Sequence, residues 1–431
     1  MERSLLAAVS GINSDQTWLD VIGNNIANDD TTGYKSNSVV FDDLLAQQVA
    51  GASAATATQA GINAIAVGSG VRVGAVNTNF AEGALNQTGN SNDVAIQGNG
   101  FLVANQNGQQ LFTRDGTLTV DANGNLASPT GGLIQGWQAV NGVLNTNAPI
   151  GNITIPVGAQ IPPQQTKNIT MGGNLNANDP VGTTVTTTVT AYDSLGDAVP
   201  ITLTFKLAST ATTGNTWDLT GTAAIAPSFG GGTANLWAGA QTLTFTPSGQ
   251  LADINGAAVS TTAPTDLPTT GLDAANGFPV APNVVFDQPG SPGAVTQFAA
   301  QDSAEVTNQD GYASGTLAGF TIGDTGVITG NYTNDQSQTI GQLAMSVFTN
   351  PNGLTQTGNN DFLATANSGP ALIGTGGTGG RGTLVDGALE SSNVNLGRQL
   401  TYLVEAQTDY QANTKTVAST SLVLQALINM P

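Results

Sequence analysis

The apolar positions of this chain follow two different rhythms. From Leu396 every seventh residue is apolar or aromatic, through Leu403, Tyr410, Val417 and Leu424, with Leu400 and Ile428 on the neighbouring row. Gln407, Thr414 and Ser421 lie between them, and neither Gly nor Pro interrupts the run from Gly397 to Pro431. That spacing predicts one long helix, roughly 50 Å at its usual rise, with a narrow apolar seam. At the other end Leu5, Ile12, Leu19 and Ile26 repeat identically, reinforced by Val9 and Ile22, and predict a helix from Ser4 to about Asn28. A narrow stripe suits a partner helix better than the broad face of a globular core. The two helices are therefore expected to pair with each other, with copies of themselves, or with both; the other reading is that each caps an ordinary domain. Polar Asn25, Gln407, Asn413 and Thr414, in or beside the seam, are expected to set register rather than add stability.

From Val71 the period becomes two. Strand-sized runs at 94–103, 111–120 and 126–138 are separated by Gly98-Asn99-Gly100, Asn107-Gly108 and Asn123-Gly124, which read as hairpin turns. Prolines at 149, 156, 162 and 163 mark a boundary, after which a second β-rich stretch runs to about 300; alternation like that of the first returns from about 306. The expected fold is mainly β with long terminal α-helices that pair as a coiled-coil-like stalk, followed by two nested β-rich domains. The expected divisions are 1–33 with 390–431 for the helices, 34–70 with 374–389 for an extended connector, 71–150 with 301–373 for the first β domain, and 151–300 for the inserted one.

Composition narrows the function. The chain has 431 residues, no Cys, no His, and nine Lys plus Arg against 29 Asp plus Glu, for a net charge of -20. Without His or Cys, the Ser-His-Asp and Cys-His forms of nucleophilic catalysis are excluded. The acidic balance opposes binding to nucleic acid and to anionic membranes, and no run of about 18 apolar residues exists to span a bilayer. The opening residues contain no stretch suited to a cleaved secretory leader, so any export is expected to use another route.

Local motifs add no chemistry. Asp121, Asn123 and Asn125 begin like a calcium loop, but Leu126 and Gly132 stand where that loop needs Gly and Glu, so a hairpin turn is the better reading. The Gly-rich run 374–382 lacks the Gly-Lys-Ser/Thr ending of a phosphate loop. Asp29-Asp30 and Asp42-Asp43 read as solvated pairs, with nothing to fix the separation two catalytic carboxylates require. No enzyme activity, cofactor or metal is expected.

Other residues say more than periodicity does. Leu19-Asp20-Val21-Ile22-Gly23-Asn24-Asn25-Ile26-Ala27-Asn28 with Thr32-Gly33-Tyr34-Lys35 resembles the N-terminal signature of the bacterial flagellar rod and hook proteins. The runs 387–394 (GALESSNV) and 405–413 (EAQTDYQAN) resemble the family's C-terminal signature, and 93–101 (DVAIQGNGF) with 112–116 (FTRDG) its first β domain. Thr408 stands where an Arg is common in the family. The resemblance covers roughly half of the chain and implies a self-assembling subunit of an extracellular axial structure. Length and the inserted domain favour a hook subunit, which forms a curved tube, over a distal rod protein; a secreted adhesin or surface-layer subunit is the alternative from another class. Implied partners are further copies of the chain, rod proteins, a hook cap, hook-filament junction proteins and a length-control ruler. The residues expected to carry self-assembly are Leu5, Val9, Ile12, Leu19, Ile22, Asn25, Ile26, Leu396, Leu400, Leu403, Tyr410, Val417, Leu424 and Ile428.

Overall fold

The computed structural model describes residues 2–56, 59–212 and 214–428, side chains excepted at 2, 427 and 428. Both terminal helices are present. Helix α1 spans Glu2–Ala27 and α2 spans Leu396–Ile428, a run of 33 residues. Asn395 caps α2, its Oδ1 accepting from Arg398 N at 3.0 Å, which satisfies one donor of the open first turn.

The remainder is β-rich and divides into two compact units. One holds both helices and comprises residues up to Val157, Gly319–Asn331 and everything from Ser337 on; the other is inserted and comprises Gly158–Ala318 with Tyr332–Gln336. Residues 301–318, expected in the first β domain, therefore lie in the inserted unit, because strand Glu305–Gln309 pairs antiparallel with Asn168–Asn174.

In the helix-bearing unit, Phe101–Gln106 and Gln109–Thr113 form the hairpin expected at Asn107-Gly108, and Leu126 pairs with Val120 across the turn at Asn123-Gly124. The third expected hairpin does not form. Strand Val94–Gln97 leaves Gly98-Asn99-Gly100 behind and pairs with Thr383–Asp386. The core gathers Phe101, Val103, Phe112, Trp137, Phe348 and Phe362; Phe101 meets Phe348 and Phe362 edge to face, as Phe112 meets Phe348 at 4.8 Å.

Both stretches expected to be extended connectors contain paired strands. Asn37–Asp43 lies antiparallel to Val71–Thr78, and Gln47–Ala50 continues the ribbon against Ile65–Val67. Thr383–Asp386 and Ala388–Glu390 pair with Val94–Gln97 and Leu85–Gln87. These strands are short, and their partners lie far off in sequence, so no local turn signal announces them.

The inserted unit is a two-sheet sandwich. In strand Ala198–Ser209 the side chains of Val199, Ile201, Leu203, Phe205 and Leu207 are all fully buried, while Thr202 and Thr204 alternate outward. That strand lies in a seven-stranded antiparallel sheet, between Thr184–Tyr192 and Thr216–Ala224. A second sheet, in which Asn168–Asn174 runs parallel to Asn283–Phe286, adds Met171, Val284 and Phe286 to the same core.

Candidate functional site

Helices α1 and α2 pack on each other, and their contact face is built largely from small and polar side chains. Ala8, Gly11, Ser14, Asp15, Ile22 and Asn25 are buried on α1, and Gln399, Ala406 and Thr420 on α2. At Gly11 a Cβ would stand 2.6 Å from Asn413 Nδ2, so a larger residue there has to displace the Asn413 amide. Asn413 Nδ2 donates to Asp15 Oδ2 at 2.9 Å. Near the opposite end of α1, Asn25 Nδ2 donates to Gln399 Oε1 at 3.4 Å and to Asn37 O at 2.8 Å, while its Oδ1 accepts from Asn37 N at 2.9 Å. Burial raises the pKa of Asp15; the Asn413 amide opposes this shift and the charge of Asp409 adds to it. An edge-on contact between Trp18 and Phe41, centroids 5.8 Å apart, holds the ribbon against α1, and Trp18 also leans on Tyr402 of α2 at 6.0 Å.

The residues expected to form the seam are divided by the fold. Ile22 and Asn25 are buried; Leu5, Ile12, Leu19, Ile26, Leu403, Val417 and Leu424 are half-buried. Val9, Leu396, Leu400 and Tyr410 remain exposed, Leu400 to 47%, and the side chain of Ile428 lies outside the described residues. Of the expected register residues, Asn25 and Asn413 do bond across the helices, Thr414 is half-buried and Gln407 faces solvent. The second row of α2 that turns inward is Gln399, Ala406, Asn413 and Thr420 rather than Leu400 and Ile428. It has the same seven-residue spacing, but its side chains are small or polar and a search for apolar residues passes over it.

A second feature was not foreseen at all. Lys35, Arg114 and Glu390 meet in a buried cluster just beyond the helix pair, with the Lys35 and Glu390 side chains wholly sealed from solvent. Lys35 Nζ lies 2.5 Å from Glu390 Oε1, and Arg114 Nη1 donates to both carboxylate oxygens at 3.1 Å. The remaining polar capacity is satisfied by the backbone: Lys35 Nζ donates to Ala81 O at 2.8 Å, Arg114 Nε to Gly100 O at 2.9 Å and Arg114 Nη2 to Gly98 O, while Gly83 N donates to Glu390 Oε1 at 2.8 Å. Burial, with the Arg114 charge beside it, lowers the pKa of Lys35, and the Glu390 carboxylate pulls the other way. The cluster ties the end of α1, the approach to α2 and the first β hairpin together through one carboxylate. Removing that carboxylate leaves two buried cations unpaired.

Comparison with known proteins places this arrangement. Residues 5–35 match the family of flagella basal body rod proteins, 95–176 the flagellar hook protein FlgE/F/G D1 domain, 159–312 the flagellar basal body protein FlaE D2 domain, and 385–430 the flagellar basal body rod FlgEFG protein C-terminal family. In chain order these describe an axial structural protein of the bacterial flagellum. The flagellar hook protein FlgE of Treponema pallidum is 36% identical over 465 residues, spanning 100% of both chains. Those of Borreliella burgdorferi and Escherichia coli are each 34% identical, covering 100% and 98% of this chain and the same shares of their own. A crystal structure of a Helicobacter pylori flagellar hook protein shares the fold, with a TM-score of 0.51 at 14% identity over 71% of this chain and 100% of that one. The chain belongs to the flagellar hook protein family and is a structural subunit of the bacterial flagellar hook. Among the described residues no helix is long and apolar enough to cross a membrane.

Proposed function

We propose that the chain polymerises outside the cell into a curved, flexible tube that carries torque from rod to filament, with residues 1–33 and 390–431 as the inner wall. The observation that carries this is the apolar surface left over once the helices have paired: Val9 on α1 and Leu396, Leu400, Val404 and Tyr410 on α2 stay exposed. Burying such side chains against neighbouring copies contributes about 1.5–3 kcal/mol each at full burial, before ordering entropy is subtracted. In this reading Leu5, Ile12, Leu19, Ile26, Leu403, Val417 and Leu424, half-buried in the single chain, become fully covered in the tube. Rod proteins at one end, a hook cap and hook-filament junction proteins at the other, and a length-control ruler during growth are the partners such a tube requires. The role is mechanical throughout.

Electron microscopy of the purified chain under polymerising conditions tests this, beside Leu400→Asp/Val404→Asp. Curved tubes are expected from the unsubstituted protein alone. Straight rigid tubes would favour a rod-like role, and normal tubes from the substituted chain would remove the helices from the assembly surface.

A further inference from the structure

Asparagine is followed by glycine at 99, 107, 123, 141, 255, 276 and 352. In such a pair the glycine nitrogen, once its proton is lost, reaches the asparagine side-chain carbonyl carbon with no Cβ in the way. Three of the pairs share one setting. Asn107, Asn141 and Asn255 each open a two-residue hairpin turn, at φ of 53°, 52° and 55°, and Gly108, Gly142 and Gly256 follow at 82°, 78° and 76°. All three asparagines are exposed.

The turns differ in what holds the glycine N–H. Gly108 N donates to Asn105 Oδ1 at 3.1 Å and Gly256 N to Asp253 Oδ1 at 3.2 Å, so in both the acceptor stands two residues before the asparagine. The matching position before Asn141 is Ala139, whose side chain accepts nothing. Among the described residues neither the Gly142 N–H nor the Asn141 side-chain amide has a hydrogen-bond partner. Elsewhere the nitrogen is held: Gly124 N donates to Asp121 O, Gly277 N to Ala274 O and Gly353 N to Asn350 O. Gly100 is buried against Met345 and Ser346, and its carbonyl accepts from Arg114 Nε, which leaves its nitrogen no room to swing.

We propose that Asn141 is a site of spontaneous deamidation, and that the bonds from Gly108 to Asn105 and from Gly256 to Asp253 protect the two sister turns. Gly142 N bonds to Asn141 Cγ, the Cγ–Nδ2 bond breaks, and ammonia leaves with the backbone amide proton, closing a cyclic imide. Water then opens the ring: attack at Cγ gives aspartate, and attack at the backbone carbonyl gives isoaspartate, with the chain running through Cγ. A glycine N–H that donates to residue 105 or 253 stays protonated and turned away from the asparagine side chain, so the first step stalls. The product sets a carboxylate between Val140 and Val143, which are 72% and 71% exposed. A hook subunit that stays in place accumulates that charge with age.

The test incubates the full-length chain at mildly alkaline pH, digests it and follows each Asn-Gly peptide by mass spectrometry. Asn141 is expected to convert about tenfold faster than Asn107 and Asn255, the factor that one net hydrogen bond makes in a rate. In denaturant the three rates are expected to converge, because the reacting pair is the same. Equal rates in the folded chain overturn the proposal, as does Asn107 or Asn255 reacting first, or a difference that persists in denaturant. Ala139→Asn is expected to slow Asn141 to the Asn107 rate, and an unchanged rate refutes the protecting bond. Should that chain not fold, Asn105→Ala decides: Asn107 is expected to rise to the Asn141 rate, and an unchanged Asn107 refutes the bond's role.

Discussion

The helix seam and the core of the inserted unit solve opposite problems with the same alphabet. In the inserted unit Leu203, Phe205, Trp217 and Leu243 are wholly removed from water, and the strands that carry them alternate these residues with outward ones such as Thr202, Thr204, Lys206, Asp218 and Thr220. Between α1 and α2 the buried positions include Gly11, Asp15, Asn25, Gln399 and Thr420, while leucines and a tyrosine face solvent. The sandwich is complete in one copy. The helix pair is aligned by polar bonds and a glycine crossing, and Val9, Leu396, Leu400, Val404 and Tyr410 stay exposed. In the proposed role this inversion, with specificity inside the pair and hydrophobic surface outside it, is what prepares the helices for assembly.

The largest effect should come from the cluster that joins the two helix approaches. Glu390→Ala strands Lys35 and Arg114 in the interior and is expected to remove about 3–5 kcal/mol from the helix-bearing unit. Calorimetry should show the transition of that unit lowered and that of the inserted unit unmoved; a single transition shifted as a whole would mean that the units do not melt independently. The reciprocal substitution, Phe205→Ala, is expected to cost about 3–5 kcal/mol in the inserted unit through loss of buried area and the cavity left behind. Below its melting temperature it should leave tube formation intact, which electron microscopy checks.

Gly11→Val is expected to act on the pair itself. Its side chain meets that of Asn413, which must turn away and give up its bond to Asp15, at about 1–3 kcal/mol. Amide hydrogen exchange should rise along α1 and α2 and stay unchanged in the sandwich strands. The smallest effect belongs to Asp15. Its folded pKa lies above the ordinary carboxylate value of 3.8, so the paired state holds a proton more tightly than the unpaired one. Its contribution therefore falls as pH rises through the window between 3.8 and the raised value. Asp15→Asn keeps an acceptor for Asn413 and is expected to raise the melting temperature by about 2 °C at neutral pH and to flatten that pH dependence. Lowered stability at neutral pH would mean that the charge itself holds the helices.

Much of this was legible in advance, unevenly and for definite reasons. Both helices and the hairpins at Asn107-Gly108 and Asn123-Gly124 follow from local signals, because the partners are neighbours and the turn chemistry is explicit. The strand Asn37–Asp43 falls within the expected connector, since nearly thirty intervening residues separate it from its partner Val71–Thr78. The Gly98-Asn99-Gly100 turn misled for the converse reason: the turn is real, but the strand before it has a partner almost 290 residues away. Lys35, Arg114 and Glu390 each fall within a stretch that resembles the hook and rod family, yet nothing in their spacing announces one shared carboxylate.

By itself the sequence determined that the ends are helices with a seven-residue seam, that the middle is β, that His- and Cys-based catalysis is excluded, and which family the chain resembles. Those properties reside in periodicity and composition, which act over a few residues at a time. Tertiary structure alone decided which row of α2 turns inward, where the inserted unit stops, and that residues 35, 114 and 390 share one buried site. A heptad stripe states that a helix has a face to cover but leaves the covering partner unspecified. That choice is made by close approach at Gly11, by amides that must be satisfied once buried, and by charges that can leave water only together.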